Sequence, residues 1–244
     1  MKSFFIVCIL STSLLYAEVL KISYSRSSVE PYVLIDKRQL TGGVLKELMD
    51  AVSKQSGVSM EYILTSKRNN SKAMDEGKID AVCLINPKEE SSSNNYLWSI
   101  PLYVEEDVLI VRKNEAKDLQ TLQSLFGHKV GTLETQHHPK LDFYFKNNSI
   151  ERIDNKKLSN NINQLRFGLI DAIVDTKLSV GHCMKKKNIG DKFVISSKTI
   201  DQQELHCMFR KNMTVSLDKI NRAVQKLKDK GVIEKIINKY RASL

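Results

Sequence analysis

Asp171 and Asp175, two carboxylates four residues apart, flank an apolar run that begins Gly168-Leu169-Ile170-Asp171-Ala172-Ile173. A near copy occurs earlier as Gly77-Lys78-Ile79-Asp80-Ala81-Val82, and there the residue four past the aspartate is Leu84. Each copy follows a helix-like stretch. The glycine therefore reads as the left-handed residue beyond a helix end, and the apolar run as a buried parallel strand. In open α/β sheets, small molecules bind beyond the carboxyl ends of such strands. A carboxylate buried there without a partner would be costly. Asp175 is accordingly a candidate binding residue, with capping of a helix that starts at Thr176 as the alternative.

Other residues offer different chemistry. Thr135 and Gln136 follow an apolar strand and precede a helix carrying Leu141. Backbone N–H groups at such a helix start attract a carboxylate or phosphate, although Thr135 could equally be an ordinary cap. His137-His138 reads as a metal or anion site, or as loop histidines. The triplets His182-Cys183-Met184 and His206-Cys207-Met208 could bind a soft metal such as copper. The plainer readings are buried apolar cysteines or a Cys183–Cys207 bridge. No metal and no cofactor is expected: zinc spacing, a phosphate-cradling glycine loop and a nucleophile elbow are all missing from the sequence.

The elements that would position these groups alternate. Residues 19–24 form a strand, and Gly42-Gly43 precedes a helix with Val44, Leu45, Leu48, Met49 and Val52 on one face. A strand at 58–64, a short helix through Ala73 and Met74, and a strand at 79–85 complete a β-α-β-α-β unit. A second unit follows: strand 129–133, a helix carrying Leu141, Phe143, Tyr144 and Phe145, strand 150–153, a helix capped by Ser159 with Ile162, Leu165 and Phe167, and strand 170–174. Such alternation predicts parallel sheets covered by helices. A strand at 107–111, a strand through Leu205 to Phe209, and a long amphipathic helix broken at Gly231 remain. Trp98 is expected in the core beneath the connection between the units.

Residues 1–17 have the layout of a cleaved export signal: Lys2, an apolar run and Ala17 before Glu18. The run is too short to span a bilayer. Periplasmic localisation with cleavage after Ala17 is expected. Lys and Arg exceed Asp and Glu by a net charge of +10. The basic residues are scattered without interleaved aromatics, so no nucleic-acid partner is expected.

Beyond these readings, the chain resembles the periplasmic solute-binding proteins of family 3, the amino-acid type found in ABC uptake systems. Residues that carry the resemblance include Glu30-Pro31-Tyr32, Gly43-Val44-Leu45, both copies of the repeat and Leu97-Trp98-Ser99-Ile100-Pro101-Leu102-Tyr103. Leu122 to Gly131 and Leu227 to Ile236 complete the set. The resemblance implies an α/β, type II periplasmic-binding-protein-like fold: two parallel-rich sheets, two lobes, a hinge and a central cleft. Residues 18–103 and 201–244 would form lobe 1 and residues 104–200 lobe 2, with crossings near 101–106 and 199–203. Asp175 matches the aspartate that accepts hydrogen bonds from a ligand's amino group, and Thr135 and Gln136 fall where the ligand carboxylate is held. Arg26, Tyr32 and Tyr103, with Tyr24, lie where the family presents walls to its ligand. Where many members carry a carboxylate-clamping arginine, this chain has Asn86-Pro87-Lys88-Glu89-Glu90, with Glu89 at the arginine's place and Lys88 as a nearby charge.

The implied function is capture of a small polar solute, amino-acid-like or another organic ion, by a monomer that delivers it to an inner-membrane ABC permease. Two alternatives share the fold. One is a dehydratase acting on prephenate-type acids with Glu134 or His137 as general acid. The other is a ligand-sensing partner of a membrane signalling protein.

Overall fold

The computed structural model describes residues 18–116, 118, 119, 121–134 and 136–241. The export-signal reading of 1–17 and the candidate Thr135 lie outside the described residues. Strand β1 (Val19–Tyr24) is followed by a hairpin, β2 (Leu34–Asp36) and β3 (Gln39–Gly42), and by helix α1 (Val44–Ser56). Then come β4 (Ser59–Leu64), α2 (Asn70–Asp75), β5 (Ala81–Ile85), β6 (Leu97–Trp98) and the long β7 (Tyr103–Arg112). The next unit runs β8 (Lys129–Leu133), α3 (Pro139–Lys146), β9 (Glu151–Asn155), α4 (Leu158–Arg166), β10 (Ala172–Thr176) and α5 (Lys177–Lys187). Strands β11 (Phe193–Ile195) and β12 (Asp201–Phe209) and helices α6 (Leu217–Asp229) and α7 (Val232–Tyr240) end the described chain.

The strands form one mixed, ten-stranded path, β4-β1-β5-β12-β7-β10-β8-β9, with β11 on β7 and β6 on β12. Two separate sheets were the expectation. They join because the two crossing segments are themselves strands and pair with each other, from Leu205 opposite Tyr103 to Asp201 opposite Asp107. Pairing satisfies the backbone groups of both crossings at once. The remainder of β12 pairs antiparallel with β5, and β7 continues beside β10.

The repeated hexapeptide proves to be a strand clamp used twice. Asp80 accepts a hydrogen bond from the Lys21 N–H at 2.9 Å while its own N–H reaches the Lys21 carbonyl at 2.8 Å. Asp171 and Lys129 repeat this exchange at 2.8 Å in both directions. Each aspartate also meets an arginine, Arg210 at 2.6 Å for Asp80 and Arg112 at 3.7 Å for Asp171. The glycines ahead of them are left-handed as expected, with φ 66° at Gly77 and 71° at Gly168.

Apolar faces divide the core along the sheet. Leu20, Val44, Leu48, Ile220, Val224 and Ile237 pack together on one flank, which brings α6 and α7 back onto α1. The tail is also tied there by Lys239 and Tyr240, which both bond Glu47. On the other flank Val108, Ile162, Leu165 and Ile173 form one cluster, and Leu109, Leu125, Leu141 and Val174 another. Three local expectations change. Lys157, not Ser159, precedes the first residue of α4. Phe143 and Phe167, read as apolar residues of their helices, are 68% and 69% exposed. Trp98 is half-buried against Met74 and Met208, donates to the Ser93 carbonyl and meets His206 edge-on.

The cysteine expectation is also corrected. Cys83 and Cys207, directly opposite each other on β5 and β12, form a disulfide, and Cys183 is free. The bond consumes the Cys207 thiol, so the twin His-Cys-Met motif loses a sulfur ligand. Among the described residues no group of three metal-ligating side chains comes together.

Candidate functional site

A cavity of about 350 Å³ opens where β1, β5, β7 and β12 meet the segment before α3. Local sequence sets its walls. Gly43, at φ 97°, is required because a Cβ there would lie 2.7 Å from the Pro31 carbonyl and 2.8 Å from that of Tyr32. This close approach lets the first N–H groups of α1, from Val44 and Leu45, hold those two carbonyls at 3.0 Å, and so fixes Tyr32. Opposite, Leu84 adopts φ 64° at the end of β5, beside the irregularity between His206 and Cys207. A leucine in that conformation stores backbone strain of the kind that collects at binding sites.

Glu105 and Asp107 share one face of β7, since alternate strand residues point the same way. Glu105 is 6% exposed and takes hydrogen bonds from the hydroxyls of Tyr32 at 2.5 Å and Tyr103 at 3.1 Å. Burial pushes its carboxyl up to about 7, aided by the neighbouring Asp107 and opposed by the two tyrosine hydrogen bonds. Burial and the Glu105 charge hold both tyrosine hydroxyls well above their ordinary range. Tyr32 also lies 2.8 Å from Thr176, whose hydroxyl caps α5 by accepting from the Ser179 N–H. A second tie spans the same region, from Lys186 to Glu30 at 2.6 Å.

Asp107 and His138, both buried, are joined at 2.7 Å through Nδ1. A carboxylate can only accept, so Nδ1 carries the proton in this pair. Asp175 is fully buried, and its Oδ1 accepts from Gln136 Nε2 at 3.0 Å and from the Thr176 N–H at 2.7 Å. Burial raises its carboxyl to about 6, with the two hydrogen bonds pulling the other way. That arrangement orients the Gln136 amide with Oε1 free. Gln136 Oε1, His138 Nε2 and Asp175 Oδ2 are buried and have no hydrogen-bond partner among the described residues. Of these, Gln136 Oε1 is an acceptor on a residue that lines the cavity, and a guest's donor can satisfy it.

Of the sequence candidates, Tyr24, Tyr32, Asn86, Gln136, His137 and His138 line this cavity. Asn86 also bonds Gln203 of β12 at 3.3 Å and accepts from the Lys88 N–H at 3.0 Å. Asp175 stands behind Gln136, and Tyr103 behind Glu105. The structure does not bring Arg26 or Lys88 into the lining; both side chains are exposed. Helix α3 starts at Pro139, three residues beyond Gln136, and proline brings no N–H to its first turn. Sequence reasoning missed Glu105 and Asp107, and named His138 only as half of a possible metal or anion site. The first two were detectable as acidic residues at alternate positions entering an apolar strand.

Glu105 leads to a pH prediction. Its folded carboxyl lies near 7 against an ordinary 4.5. Its contribution to stability is therefore fully present below pH 4.5 and is lost as the pH rises through 7, by up to about 3 kcal/mol. Urea unfolding of the unliganded protein at pH 5 and pH 8 should show this loss, and Glu105→Gln should flatten it. An unchanged slope in the variant would exclude Glu105 as its source.

Comparison with known proteins agrees with this architecture. The description "Bacterial extracellular solute-binding proteins, family 3" matches residues 21–243. The L-cystine-binding protein TcyJ of Escherichia coli strain K12 is 24% identical over 206 residues, which is 84% of this chain and 76% of that protein. A solved ancestral arginine-binding protein bound to arginine has a TM-score of 0.69 and 22% identity, with 91% of this chain and 97% of that one covered. An ancestral cationic amino acid solute-binding protein has a TM-score of 0.72 and 18% identity, covering 91% and 95%. At these identities the solved structures establish a shared fold.

Proposed function

The chain belongs to family 3 of the bacterial extracellular solute-binding proteins, and from that premise we propose that it captures one small polar solute in the cavity beside Gln136 and His138. The observation that carries this reading is the cavity beside the paired strands β7 and β12, into whose lining Gln136 brings a buried Oε1 with no donor among the described residues. A binding site fits this geometry, because a guest that supplies an N–H group removes the cost of leaving that oxygen unpaired. Tyr32, Asn86 and Gln136 would contact the solute. Asp175 would act by fixing the Gln136 amide, and Tyr103 by holding Glu105. Arg26, Lys88 and Thr135 remain candidates for the rim.

In this reading residues 18–103 and 201–244 form one lobe and residues 104–200 the other, hinged at the paired strands β7 and β12. The separate apolar cores on the two flanks support that division. Glu30–Lys186 and Tyr32–Thr176 would be contacts between the lobes. Export by residues 1–17 fits the Cys83–Cys207 disulfide, which belongs to an oxidising compartment. The protein would work as a monomer and hand its solute to an ABC permease.

A thermal-shift screen of polar metabolites, followed by calorimetry, tests the proposal. One class should bind with one solute per chain. Conversion of a prephenate-type acid without stable binding would instead favour the dehydratase alternative.

A further inference from the structure

The charge lining the cavity has a consequence for what it accepts. Four carboxylates face it, Glu89, Glu90, Glu105 and Asp107, against Lys67 and the titratable His137 and His138. No arginine lines it among the described residues. This excess of negative charge belongs to a chain with a net charge of +10, so it is local and not a reflection of composition.

The second observation is independent of charge. Gln136 lines the cavity, and its buried Oε1 has no donor among the described residues, its Nε2 being held by Asp175. An amide oxygen calls for an N–H group. A carboxylate on the guest would bring only further acceptors and would face Glu89 and Asp107.

We propose that the cavity selects an organic cation without a carboxylate, such as a diamine or an amino-guanidine, over the corresponding amino acid. This rests on the solute-binding reading and narrows it to a chemical class. The cationic head would donate to Gln136 Oε1 beside Asp107, and the chain's other end would meet Glu89 and Glu90.

Paired calorimetric titrations test it: agmatine against arginine, and putrescine against ornithine, at one pH and salt concentration, with glutamate as the anionic probe. The amine of at least one pair should bind at least tenfold more tightly than its carboxylated partner. Glu89→Arg, a change at an exposed position in a short turn, should narrow or reverse that preference. Tighter binding of arginine, ornithine or glutamate overturns the proposal while leaving solute binding intact. No heat from any of the five also overturns it, and the broader metabolite screen then decides separately whether the protein binds solutes.

Discussion

Asp175→Asn is expected to weaken solute binding roughly tenfold to a hundredfold while making the unliganded protein more stable at pH 8. The two effects have one origin. Asp175 is fully buried, and burial raises its carboxyl to about 6 from an ordinary 3.8. Stability from this group is therefore present below pH 3.8 and lost as the pH rises through 6, a cost of about 3 kcal/mol at pH 8. Asparagine keeps an oxygen for Gln136 Nε2 and the Thr176 N–H and removes that cost. It also replaces the charge-assisted bond that fixes the Gln136 amide, worth about 1.5–3 kcal/mol, by a neutral one, and the loosened amide gives the affinity loss. Calorimetry with chemical denaturation separates the two readouts. Asp171→Asn is the control: it loosens the clamp on Lys129 and should lower stability without a direct effect on affinity. Normal affinity in Asp175→Asn would remove Asp175 from the site, and lowered stability with normal affinity would leave it a structural residue.

Removing the disulfide should have the largest effect on stability alone. Cys83 and Cys207 are 124 residues apart in sequence, so the bond closes a long loop in the unfolded chain. Loss of such a crosslink costs about 2–5 kcal/mol. Both sulfurs also pack against Met49 in the core, at 3.6 and 3.9 Å, where serine hydroxyls would be poorly accommodated. The double variant Cys83→Ala/Cys207→Ala avoids that burden and should still unfold at markedly lower guanidinium concentration. Cys183→Ala, at a half-buried site that forms no crosslink, should lower stability by less than the double variant does. Equal stability of the double variant and the parent would show that the crosslink does not restrain the chain.

The strand and helix order was legible because apolar spacing fixes which face each element buries, as with Val44, Leu45, Leu48, Met49 and Val52 on α1. The hairpin β2–β3 was not. Its turn residues Lys37 and Arg38 both take positive φ, 43° and 75°, without the glycine or asparagine that usually marks such a turn. The disulfide was missed because pairing of Cys83 with Cys207 depends on strand register between distant segments. Phe143 and Phe167 differ again: both were read as apolar helix residues, and both face solvent. At the site, the divergence of Asp175 from Leu84 did mark a place where polar groups gather, but the structure puts Gln136 between Asp175 and the cavity. Glu105, Asp107 and His138 became visible as a set only once β7 and residues 136–138 were side by side.

Closure on a solute is the central claim, since the cavity lies beside two paired strands that connect the halves of the sheet. Hinge motion about such strands is the expected response to a bound guest. Small-angle X-ray scattering, with and without a saturating amount of the tightest-binding solute from the screen, measures it directly. A smaller radius of gyration for the complex, lost in Asp175→Asn at the same solute concentration, is the predicted result. An identical scattering profile with calorimetry showing the site filled would contradict it.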